Sequence, residues 1–60
     1  MLLKELFKHF KDKSITVDLC TALWRKFDTI ENFENNLSED ILNIKVYDWK
    51  YSNSILEIDM

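Results

Sequence analysis

Asn43-Ile-Lys-Val-Tyr-Asp-Trp-Lys-Tyr-Ser-Asn-Ser-Ile-Leu-Glu-Ile-Asp-Met60 is the stretch on which the fold turns. Two runs rich in β-branched and aromatic residues flank the polar Ser52-Asn53-Ser54, the pattern of a β-hairpin over residues 44–59. Pairing Lys50 with Ile55 across a four-residue loop sets Trp49 opposite Leu56 and Tyr47 opposite Ile58. One face then carries Tyr47, Trp49, Tyr51, Leu56, Ile58 and Met60, a core face in which Trp49 is expected to be well buried. A slip of one residue would set Trp49 against Glu57 and Tyr47 against Asp59, so the first register is preferred. Everything upstream has to cover that aromatic face.

Upstream, Leu3, Leu6, Phe7 and Phe10 recur at helical spacing and predict a helix over residues 2–12, with Lys4, Lys8 and Lys11 on the opposite side. From Ser14 to Cys20 the chain alternates, with Ile15, Val17 and Leu19 facing one way and Thr16, Asp18 and Cys20 the other. A second strand is expected from about Ala22 to Phe27, although Cys20-Thr21 offers no good turn residue. One long helix from Asp18 to Asn35 is the rival reading, because Leu19, Leu23, Phe27, Ile30 and Phe33 also repeat every three or four residues.

From Asp28 a helix is expected, capped by Asp28 with Glu31 completing a capping box. Asn35-Asn36 can end it in a left-handed conformation, and Ser38 starts a further short turn. The sum is a single α+β domain over residues 1–60, ordered α-β-β-α-β-β. Its four-stranded, mostly antiparallel sheet carries the helices on one face.

Composition narrows the chemistry. The chain is 60 residues long, 47% hydrophobic, and contains no glycine and no proline. No glycine-rich loop can cradle a phosphate. A net charge of −3 is the wrong sign for a non-specific nucleic-acid binder. No run reaches the roughly 18–20 apolar residues of a membrane span, and the opening Met1-Leu-Leu-Lys has no signal-peptide core, so a cytosolic location is expected. One Cys and one His fall short of the roughly four ligands of a zinc site. His9 is read as a surface partner of Glu5, and Cys20 as a small, partly buried hydrophobe. Neither an enzyme, nor a metal, nor a cofactor is expected.

Two surfaces remain. The segment Asp28 to Asp40 holds Asp28, Glu31, Glu34, Glu39 and Asp40 with no Lys or Arg, a solvated helix face or a patch for a basic protein groove. Ile44, Val46 and Ile55 would lie on the back of the hairpin, away from the helices, and predict a homo-oligomer built through that face. So small a core, with neither disulfide nor metal, makes self-association a natural remedy.

The run Phe27-Asp-Thr-Ile-Glu-Asn-Phe-Glu-Asn-Asn-Leu-Ser-Glu-Asp-Ile-Leu42, followed by Val46-Tyr-Asp-Trp49 and Ile55-Leu-Glu-Ile58, resembles small phage and prophage proteins of low-GC Gram-positive bacteria. That class includes anti-CRISPR proteins. The resemblance implies a protein partner, such as a Cas effector or another nucleic-acid-binding protein, engaged without chemistry. A small oligomerising accessory module is the alternative.

Overall fold

The computed structural model describes residues 1–60. The chain runs α1 (Leu3–Lys8), β1 (Thr16–Cys20), β2 (Arg25–Thr29), α2 (Ile30–Asn36), α3 (Glu39–Leu42), β3 (Asp48–Ser52) and β4 (Ile55–Asp59). The four strands form one mixed sheet in the order β2-β1-β4-β3. β1 with β2 and β3 with β4 form antiparallel hairpins, and β1 joins β4 in parallel through the centre. The α+β expectation holds, and the three helices share one face. The alternative long helix over 18–35 is replaced by strand, turn, strand and helix.

The core explains that layering. Leu3, Leu6 and Phe7 of α1, Ile30 and Phe33 of α2, and Leu42 of α3 meet Val17 and Leu19 of β1 and Leu56 and Ile58 of β4. The parallel register sets Val17 beside Leu56 and Leu19 beside Ile58, so the two central strands turn the same face to the helices. Phe7 and Phe33 stack with ring centroids 6.3 Å apart, locking α1 onto α2.

Several boundaries differ from the sequence expectation, each for a local reason. Helix α1 stops at Lys8 because the Lys13 ammonium donates to the Phe7 carbonyl and Asp12 draws the chain into a turn with Ser14. At the other end the Glu5 carboxylate accepts from the Leu2 N–H at 2.7 Å, which engages the group expected to meet His9. Helix α2 is capped one residue later than Asp28, by the Thr29 hydroxyl, which accepts from the Asn32 N–H. Its C-terminus leaves through an extended Leu37, so Asn35 and Asn36 stay right-handed. Ser38 caps α3 as expected.

The hairpin of residues 48–59 exists, but its loop is two residues, with Ser52 opposite Ile55 and Trp49 opposite Ile58. Asn53 and Ser54 both have positive φ, 53° and 63°, the backbone that a tight hairpin requires. The expected register is therefore displaced by two residues. An even shift keeps every side chain on its face, so Trp49 and Tyr51 still point with Leu56 and Ile58. Burial is what changes. Strand β3 is a sheet edge, and Trp49 and Tyr51 remain 44% and 47% exposed, each meeting Phe10 edge to face.

Candidate functional site

A groove lies at the end of the sheet where β1 hands over to β2. Thr21 builds the turn there, although Cys20-Thr21 offered no good turn residue to the sequence reading. Its hydroxyl accepts from the N–H groups of Leu23 and Trp24 and donates to the Trp24 carbonyl. This turn occupies residues expected to begin the second strand and pushes Leu23 into solvent, 92% exposed. Ile41 of α3 and Ile44 just after it form one wall. Met60 is held against β1 by its N–H bond to the Cys20 carbonyl. With Ala22 and Trp24 these residues enclose about 430 Å³, and Thr21 is the one polar contributor.

The acidic residues divide into two groups. Asp28 is engaged within the chain: its carboxylate accepts from the Asn32 side chain and from the Thr29 N–H, both at 2.8 Å. Those bonds, the Asn32 one foremost, hold its pKa below the usual carboxylate value. Glu34 is half-buried and faces Lys13 at 3.6 Å. Glu31, Glu39 and Asp40 are exposed on α2 and α3, and the last two stand on the helix that supplies Ile41 to the groove.

Ile44, Val46 and Ile55 do not share a face. Residues 44–46 pair with the chain start instead of extending β3: Leu2 bridges Lys45, Leu3 N–H donates to the Ile44 carbonyl, and Val46 N–H to that of Met1. The tighter hairpin register leaves these residues past the paired end of β4, which frees them for that partner. Ile44 lines the groove, Val46 packs against the helical core, and Ile55 alone lies on the uncovered sheet face, half-buried.

That uncovered face holds a pair which sequence reading did not single out. Arg25 donates to both oxygens of Asp18, at 2.9 and 2.7 Å, and its guanidinium lies 5.2 Å from the Phe27 ring centroid. Asp18 is buried, and the Arg25 hydrogen bonds hold its pKa down; Asp18 in turn raises that of Arg25. Alternation had placed Asp18 on the side opposite Val17 and Leu19, but only the hairpin register, Cys20 opposite Arg25, brings Asp18 and Arg25 diagonally together. Glu57, Asp59 and Cys20 border the same shallow hollow of about 260 Å³.

Chemically, the shifted carboxylates are all held in their charged form, the reverse of what a general acid near neutral pH requires. Cys20 is on the sheet face away from the helices, while His9 ends α1 on the covered side. No three His, Cys, Asp or Glu residues gather closely enough to hold a metal ion, and no helix is long and apolar enough to cross a membrane. Comparison with family models, curated proteins and solved structures finds no match to the chain.

Proposed function

We propose that this chain is a protein-binding module without chemistry of its own, which docks through the groove between the Thr21–Trp24 turn and α3. The observation that carries this reading is Leu23, almost wholly exposed beside Trp24, Ile41, Ile44 and Met60. Solvating so continuous an apolar patch is costly, and a partner side chain in the groove would remove that cost. Glu39 and Asp40 on the adjoining helix favour a partner with Lys or Arg beside its apolar anchor. The narrower form of the proposal is an inhibitor that covers the basic surface of a cytosolic nucleic-acid-targeting effector in bacterial defence, as anti-CRISPR proteins do. The net charge of −3 and the exposed Glu31, Glu39 and Asp40 support it.

The test is capture from a bacterial lysate with the wild-type chain, Leu23→Asp, and a Glu31→Gln/Glu39→Gln/Asp40→Asn variant. Leu23→Asp should lose the retained protein, and the neutralised variant should weaken it. Added salt should weaken retention too, since exposed charges are screened beyond about 8 Å at physiological ionic strength. Equal retention by Leu23→Asp sinks the groove reading. Salt-independent retention of a partner with no affinity for nucleic acid sinks the narrower one.

A further inference from the structure

The sheet has two edges, and their backbones are closed differently. On the β1–β2 ladder Ile30 N–H donates to Ile15 at 3.1 Å and Thr21 N–H to Trp24 at 2.8 Å. Alternation from those bonds makes Val17–Asp28 and Leu19–Lys26 the bonded pairs, and turns the backbone of Arg25, Phe27 and Thr29 outward. At the other edge the same alternation turns Trp49 and Tyr51 outward, and the Trp49 N–H already donates to the Asp48 carboxylate at 2.9 Å. An edge with one of its two outward donors engaged within its own chain is a poorer template for another strand than one that keeps two of them free. Strand β2 carries such a bond only at its end, from Thr29 N–H to Asp28, and leaves its midpoint, Phe27, open.

The open edge is also self-complementary. A two-fold axis at Phe27 would set Phe27 opposite its own copy, Arg25 opposite Thr29, and Lys26 opposite Asp28. Phe27 and Arg25 point outward through their backbones, so 27–27 is a full hydrogen-bonded pair, while in each 25–29 pair the Arg25 N–H is the free donor, since the Thr29 N–H is held by Asp28. The Lys26–Asp28 contact occurs twice, in the non-bonded pairs where Cα atoms approach to about 4.5 Å. No neighbouring register does this. An axis at Lys26 sets lysine against lysine, an axis at Asp28 sets aspartate against aspartate, and an axis at Arg25 or Thr29 pairs neither charge with its opposite. On the uncovered face the Phe27 ring, 55% exposed and held under Arg25, would meet the ring of the second copy.

We propose that β2 is a self-recognition edge, through which two copies of this chain join antiparallel about Phe27 into one eight-stranded sheet. The contact is isologous, so it uses up both open edges and closes at two copies. This reading is independent of the groove.

Sedimentation of the full chain over a range of concentrations tests it. The wild-type mass should rise from 7.3 kDa towards twice that value. Lys26→Asp turns both cross-strand attractions into repulsions and should raise the dimer dissociation constant about tenfold or more. Lys26→Asp/Asp28→Lys restores the pairing and should restore association. Asp28 also bonds Thr29 and Asn32 at the start of α2, so a readout that needs no substitution stands beside this one. Amide exchange at Phe27 in the wild-type chain should slow as concentration rises, while exchange at Trp49 stays constant. A mass fixed at one chain overturns the proposal. So does a dimer indifferent to Lys26→Asp, or Phe27 exchange that ignores concentration.

Discussion

The two hairpins of this sheet are built to one plan and finished differently. In each, the strand at the centre of the sheet supplies the core, Val17 and Leu19 from β1 and Leu56 and Ile58 from β4, while the outer strand stays largely exposed. The outer strand of the first hairpin is charged and held by the Asp18–Arg25 pair. That of the second is aromatic and rests on Phe10. Hydrophobic pattern alone ranks Trp49 and Tyr51 as core and Arg25–Thr29 as its equal at best. Position in the sheet overrides that ranking, because an edge strand has neighbours on one side only.

The largest effect should come from the central strands. Leu19→Ala and Leu56→Ala, both fully buried, should each cost about 2–5 kcal/mol and leave so small a domain largely unfolded, as read by urea denaturation. If either variant stays as stable as the wild type, the shared core is wrongly drawn. Trp49→Ala, on the outer strand, should cost only about 1–2 kcal/mol, since about half of its surface is already in water. A loss as large as that of Leu56→Ala would erase the distinction between inner and outer strands.

Turn chemistry sharpens the comparison further. Ser54 has φ of 63° where a side chain is unwelcome, so Ser54→Gly should raise stability by about 0.5–1 kcal/mol, less the added freedom of the unfolded chain. The first hairpin should respond oppositely: Thr21→Gly removes the hydroxyl that closes its turn and should lower the thermal midpoint.

The smallest effect is a dependence on pH confined to the first half of the chain. Asp12, Asp18 and Asp28 titrate below their ordinary values, through bonds to Ser14, Arg25 and Asn32 respectively. Each carboxylate therefore contributes stability that is present above about pH 4, the unfolded value, and is lost as pH falls through the lower folded value. Asp28→Asn should flatten the fall in thermal midpoint below about pH 4; an unchanged slope would remove Asp28 from the cause.

Much of this was legible in the residues. The stripe Leu3, Leu6, Phe7, Phe10, the alternation of residues 15–20, the Ser38 cap and the face shared by Leu56 and Ile58 are local patterns with periods fixed by backbone geometry. They determined that the chain is α+β, which residues face inward on the central strands, and the sign of its surface charge. What the sequence did not decide is which strands sit at the centre. That depends on the parallel junction of β1 with β4, a contact between segments some forty residues apart, and it alone exposes Trp49, buries Asp18 beside Arg25 and opens the edge at Phe27. The groove likewise joins residues distant along the chain, Leu23, Ile41 and Met60, which only the folded chain brings together. Local propensity acts over a few residues, whereas burial is set by what the rest of the chain places above and beside a strand.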